Sequence, residues 1–212
     1  FSGAVGNTQR PLTVTITNAN DVTASSTVAV GNLVQTAGQG TTTFNGAVTT
    51  NAAAGVDLNG AAFALNAAVT TTGGGTVTIT NSSTLTIAAA GDLDLDGAFL
   101  QDGTGDVSTA GDITTTADNV QFDGSVILTG AVAITTGTAG GTITFSDTLD
   151  GGQDLSLTAG TGNVVFTGAV GGTTALSDIT IVSATDVTAA AITASTISQT
   201  AGSGTTTFNG AV

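Results

Sequence analysis

The chain contains no Cys, Met, Trp, Tyr, His, Lys or Glu, and its 212 residues include one Pro and a single basic side chain, Arg10. Each absence removes a class of explanation. Without Cys the fold does not depend on disulfides. Without His or Cys no histidine- or thiolate-based zinc site can form, and a Ser-His-Asp arrangement is impossible. General acid–base chemistry is left with Asp alone, and nucleophiles with Ser and Thr. A carboxylate pair acting on a sugar would still need cationic or aromatic side chains to hold it, and the chain has almost none. The expectation is that it is not an enzyme. One Arg against fifteen Asp gives a net charge of −14, so nucleic acid is excluded as a partner, because phosphate binding relies on Lys and Arg. Anionic membrane surfaces are excluded for the same reason. No apolar run approaches the roughly 18 residues of a membrane-spanning helix. An outer-membrane barrel would carry Trp and Tyr girdles. Membrane insertion of this segment is not expected.

Most of what remains is Ala, Thr, Gly, Val, Ser, Asn and Asp, with the apolar side chains mainly Val, Ile and Ala. Val, Ile and Thr fit a pleated sheet, whereas the strong helix formers Glu and Lys are absent. Hydrophobic residues at 40% with only 8% charged argue against disorder. The class is all-β.

Repeats dominate the chain. Residues 35–48, QTAGQGTTTFNGAV, match 199–212, QTAGSGTTTFNGAV, at thirteen of fourteen positions and an offset of 164. FSGAVG at 1–6 corresponds to FTGAVG at 166–171, and NDVTA at 20–24 to TDVTA at 185–189. Residues 1–48 and 166–212 therefore read as copies of one unit of about 164 residues. The chain starts and stops inside a repeat, with no initiator Met or signal-like segment, so it reads as an excerpt of a longer protein. Within the unit, Phe-x-Gly-(Ala/Ser)-Val recurs at Phe1, Phe44, Phe122, Phe166 and Phe208, with gaps of 43, 78, 44 and 42 residues. These read as one, two, one and one copies of a period near 41, with sub-repeats starting near 1, 44, 83, 122, 166 and 208. LNAAV at 65–69 follows FNGAV at 44–48 by 21 residues, so the elementary period is about 20–22.

Strict alternation, as at Val77 and Ile79, Leu85 and Ile87, Leu93 and Leu95, or Ile179 and Ile181, marks strands with one buried face. Gly, Asn, Asp and Ser punctuate them. Strands joined into a period of this length predict a parallel β-helix: one continuous β-solenoid over residues 1–212, with about ten coils. At ~4.8 Å per coil the rod would be roughly 50 Å long, and a super-repeat of eight coils near 38 Å. The five motif Phe residues are expected to form a ladder at one corner of every second coil. The rival arrangement, a string of antiparallel sandwiches, lacks the large aromatic core residue such domains carry.

FNGAV, GGTVTITNSSTLTIAAAGDL, STAGDITTTADN and SLTAGTGNVVFTGAVGG together resemble the repeat regions of very large bacterial surface proteins, the filamentous-haemagglutinin-like and autotransporter-like adhesins with extended β-strand repeats. The resemblance covers essentially the whole chain. It implies a right-handed parallel β-helix, secretion to the cell surface, and a role as stalk, fibre or adhesin. The secretion domain and anchor of that class are not in this sequence.

The densest carboxylate cluster is GDLDLDG at 91–97 followed by QDGTGD at 101–106. Asp92, Asp94 and Asp96 alternate and should share one strand face; with Asp102 and Asp106 they are the candidate metal residues, and Ca²⁺ the candidate ion. The segment lacks both the calcium-binding nonapeptide and the EF-hand spacing, and a solvated outer face is the competing reading. Pairs of Thr at alternate positions (13/15, 76/78, 84/86, 142/144 and 205/207) could order water if stacked flat, though Thr is also the ordinary outward residue of a strand. GGG at 73–75 and GTGNVV at 160–165 lack the Lys of a phosphate loop and read as corners. The functional expectation is a passive extracellular fibre or stalk segment whose partners are further repeats and identical neighbouring rods. The alternative is a calcium-dependent ligand-binding adhesin module. A single tryptic site, Arg10 followed by Pro11, would suit life outside the cell.

Overall fold

A computed structural model describes residues 1–212, and it is all-β, with twenty-six strands and no helix. Every pairing between strands is parallel, and each strand pairs with the strand three elements away rather than with its neighbour in sequence, apart from small irregularities near the C-terminal end. That topology is a β-solenoid of three faces. Following the chain, the first face is a ten-stranded sheet from Thr13–Ile16 to Thr206–Phe208. The second is seven-stranded, from Val22–Ala24 to Leu149–Asp150, and the third nine-stranded, from Val28–Val30 to Ala194–Gln199. Ten rungs on the first face enclose nine circuits, at 18 to 25 residues between paired positions, bracketing the period read from the sequence.

Burial alternates within strands. Val77, Ile79 and Asn81 point inward while Thr78 and Thr80 do not. Leu93 and Leu95 are buried and Asp94 exposed between them. Because all three faces direct alternate residues to the same axis, 42 buried hydrophobic residues form a single core. No one coil could shelter its inner side chains; each does so by lying on the next, the nearest-neighbour logic of solenoids. Nine buried positions are polar, and all but Thr50, whose hydroxyl has no partner, are satisfied internally. Gln101 Nε2 donates to Asn81 Oδ1 at 2.7 Å and to the Gly103 carbonyl at 2.8 Å, while its Oε1 accepts from the Gly124 N–H at 2.9 Å. Adding a Cβ at Gly103 would place it 2.0 Å from the Asn81 carbonyl oxygen, so this corner demands glycine.

The phenylalanine ladder differs from the expected one. Phe122 and Phe166 lie in one file on the first face, with Phe145 between them as the direct partner of both. Ring centroids of Phe99, Phe122, Phe145 and Phe166 follow one another at 5.2, 5.3 and 5.4 Å, the last two steps with rings inclined by only 10°. The ladder thus occupies consecutive coils, and half of it lies outside the motif. Phe44 instead sits on the second face, two coils above Phe1 with Ala24 between them. Phe208 returns to the first face, separated from Phe166 by Ala189. Phe44, Phe122 and Phe166 are buried; Phe1 and Phe208 stand on the outermost rungs, 56% and 41% exposed.

The 78-residue gap between Phe44 and Phe122 explains the split. It is not two copies of a 41-residue period but about three and two-thirds coils, and it carries the motif from the second face to the first. The super-repeat behaves likewise. Gln35 ends a strand of the first face and Gln199 a strand of the third, seven circuits and two faces further on, so the unit spans seven and two-thirds coils rather than eight.

Local geometry survives this change of face. Thr42 Oγ1 donates to Gln35 Oε1 at 2.8 Å and Thr206 Oγ1 to Gln199 Oε1 at 2.6 Å. The Thr41 N–H donates to Asp21 and the Thr205 N–H to Asp186, both at 2.8 Å. The corner after the first face and the corner after the third thus accept the same sequence with the same bonds, and the sequence repeat is therefore free to drift around the rod.

Candidate functional site

The polar chemistry of the molecule lies in its corners, and it is directed at the backbone of the adjacent coil. Asp or Asn occupies the position just before the first inward residue of a strand at Asp21, Asn32, Asp92, Asp106, Asp112, Asn119, Asp154, Asn163 and Asp186. At all of these but Asn32 and Asp106 a side-chain oxygen accepts the backbone N–H of the equivalent residue one coil on: seven staples, to Thr41, Asp112, Ala133, Thr142, Asp178, Asp186 and Thr205, at 2.7–3.2 Å. An N–H at the edge of a corner has no strand to pair with, and an unpaired backbone donor is costly when water is partly excluded. A short side chain with an oxygen at Cγ reaches it. Asn serves at two of the seven positions, so the staple needs a carbonyl-type acceptor and not a charge. Composition alone does not disclose this arrangement; the signal lies in the place of Asp and Asn relative to each strand's first buried residue.

The candidate calcium residues fall into this scheme or stand apart from one another. Asp92, Asp94 and Asp96 share the outer side of the third face, as alternation predicts. Asp102 lies at the end of a first-face strand and Asp106 at the start of a second-face strand. The five are distributed over three faces, and no group of three acidic side chains is placed to hold a metal ion. Asp92 is occupied by the Asp112 N–H. Asp96 accepts from the Gly74 N–H at 2.8 Å and from Thr116 Oγ1 at 3.1 Å, and these donors, the Gly74 amide foremost, hold its carboxyl below the usual carboxylate range. Asp102 accepts from Thr80 Oγ1 at 2.5 Å. Sequence density suggested a cluster; the winding of the chain separates it.

The Thr pairs likewise do not form an array. Pairs 13/15, 76/78, 142/144 and 205/207 sit on rungs one, four, seven and ten of the first face, and pair 84/86 on the second. Between them the outward central positions are Val34, Asp57, Leu100, Gln121, Val165 and Thr188. Only shallow open grooves mark the surface. One runs over the third face beside Asp112, Asp154 and Asp178, whose carboxylates accept from Ala133, Asp178 and Thr196. Arg10 donates to the Val30 carbonyl at 3.1 Å. No helix is long and apolar enough to cross a membrane.

No family model, curated protein or solved structure matches the chain.

Proposed function

We propose that the chain is a structural segment of an extracellular fibre or stalk, a load-bearing rod that continues into further repeats and associates with rods of its own kind. The observation that carries this reading is the parallel pairing of three stacked sheets, of ten, seven and nine strands, wound along one axis and stapled from coil to coil by Asp and Asn side chains. Such an arrangement holds shape over length, and its outer surface carries only shallow open grooves. The reading includes no catalysis, and the missing His, Cys, Tyr, Lys and Glu support that on chemical grounds. A cell-surface location and an adhesive role, including the kind of target touched, belong to the same proposal and rest on the resemblance of the repeats.

Single-molecule force spectroscopy tests the mechanical part. Pulled from its two ends, the rod should lengthen in discrete steps of about 70–75 Å, the extended length of one coil at ~3.3–3.6 Å per residue, each at a measurable force. Smooth extension with no resolved steps would remove the load-bearing role.

A further inference from the structure

We propose that Asn45 is a site of spontaneous deamidation, a covalent modification that adds a carboxylate to a corner of the solenoid and, in part of the product, lengthens the main chain there. The inference is independent of what the rod does. The chain has three Asn-Gly pairs, Asn45-Gly46, Asn59-Gly60 and Asn209-Gly210. Glycine has no Cβ, so its backbone nitrogen is open to approach by the preceding side chain. Once hydroxide has taken its proton, that nitrogen attacks the Asn Cγ. The N–Cγ bond forms, the Cγ–Nδ2 bond breaks, and Nδ2 takes a proton from water and leaves as ammonia. Water then opens the cyclic imide. Breaking the new N–Cγ bond restores the peptide and leaves aspartate. Breaking the original bond to the main-chain carbonyl leaves isoaspartate, whose main chain runs through Cγ and is longer by one methylene. In sum, an amide and a water become a carboxylate and ammonium.

The fold treats the pairs differently. The Asn45–Gly46 peptide lies in the corner between Thr41–Phe44 and Val48–Thr50. Its carbonyl accepts no hydrogen bond from the protein, and its N–H donates none. Asn45 is exposed, and the one bond of its side chain is at Oδ1, which accepts from Asn66 Nδ2 at 2.8 Å. Nucleophile and leaving group are therefore both unengaged. Asn59 and Gly60 instead end the strand Val56–Gly60, in register with Thr80 and Asn81. The Asn59 carbonyl accepts from Gln35 Nε2 at 3.4 Å, and the Gly60 carbonyl from the Ser82 N–H at 3.1 Å. Cyclisation there requires the strand end to peel from its neighbours first.

The corner demands the glycine but not the asparagine. A Cβ at Gly46 would overlap the Ser26 carbonyl, and one at Gly168 that of Asp147, yet Thr167 precedes Gly168. In the corner after Phe122 the preceding residue is Asp123, and there the Gly124 N–H is taken by Gln101 Oε1 at 2.9 Å. Asn209-Gly210 repeats the Asn45 arrangement, with its peptide group likewise free of protein partners. At Asn45 a lengthened main chain would fall between Phe44, paired with Leu65, and Val48, paired with Val28 and Val69. The ladders on either side of the corner would then lose step with the coils above and below.

Tandem mass spectrometry of peptic fragments, taken as the folded chain ages at mildly alkaline pH, measures each site separately. Asn45 should convert several-fold faster than Asn59. In guanidinium chloride, where the backbone bonds are gone, the two should convert at the same rate. Equal rates in the folded chain, or folding that slows Asn45 as strongly as Asn59, would overturn the proposal. The aged chain should melt at a lower temperature than the fresh one, whereas the doubly substituted Asn45→Thr, Asn209→Thr chain should hold its midpoint on ageing. Equal decline of that variant, shown folded beforehand by circular dichroism, would overturn the structural consequence assigned to these corners.

Discussion

At the scale of single residues, Asp and Asn act here as backbone acceptors. Seven of the nine strand-preceding positions share one geometry, and Asn119 and Asn163 fill two of them without a charge. Asp112, whose carboxylate accepts the Ala133 N–H at 2.7 Å, is therefore expected to tolerate Asp112→Asn nearly unchanged. Asp112→Ala leaves the Ala133 donor without its partner and should lower stability by about 1 kcal/mol, the net worth of one hydrogen bond. Chemical denaturation of the two variants separates the roles. If Asn were as damaging as Ala, the charge itself would be what the site requires, and a cation site would become the better explanation. The sequence displayed these residues but not their role, because local density, as in GDLDLDG, drew attention to the carboxylates as a group. Their function is legible only one at a time, from the position of each relative to the residue that begins the buried side of its strand.

At the scale of the element, each strand is short, most of three or four residues, and derives its stability from what lies above and below it. Alternation in stretches such as Val77 to Ile79 made the strands and their buried sides readable, and the 20–22 residue period made the coil readable. The Phe ladder was only half readable. Phe122 and Phe166 carry the Phe-x-Gly motif, but Phe145 is followed by Ser146 and Asp147, and Phe99 by Leu100 and Gln101; a motif search passes over both. Their spacing of 23, 23 and 21 residues is one coil for the last two steps, and for the first it is one coil plus two residues, since Phe99 pairs with Val120; coil-length spacing is the better guide. Phe145 is held between two stacked rings at 5.3 and 5.4 Å and is 1% exposed, in an interior only three short strands across. Phe145→Ala should cost about 3–5 kcal/mol, read as a lowered denaturation midpoint. Phe63→Ala, on the second face with no ring above or below it, should cost less by the aromatic increment of about 0.5–1.5 kcal/mol per lost pair. Equal losses would mean that the ladder contributes by volume alone.

At the scale of the whole molecule, the repeat in the sequence and the repeat in the structure have different lengths. The motif Phe44 to Val48 and its copy Phe208 to Val212 are nearly identical in sequence yet begin on different faces, because the super-repeat closes after a whole number of faces and not of coils. The coil is consequently the unit of folding, and stability is a sum of coil-to-coil terms with little dependence on where along the rod a coil lies. This makes a deletion informative. Removing residues 122–144 joins Gln121 to Phe145, the in-register partner of Phe122, and brings Val107 opposite Leu149 and Ile113 opposite Leu157, as the intervening pairings require. Every face then remains in register with one rung fewer. The shortened chain should fold, with an unchanged circular dichroism band shape and a rod shorter by ~4.8 Å in solution scattering. Its melting transition should remain single and lie within a few degrees of the parent's. Removing residues 122–133 takes out about half a coil, sets inward positions of one face against corners of another, and should leave the chain unable to melt cooperatively. If both deletions folded equally well, register between coils would not be what holds the rod together. If neither folded, the coils would not be interchangeable, and the drift of one corner sequence from face to face would need another cause.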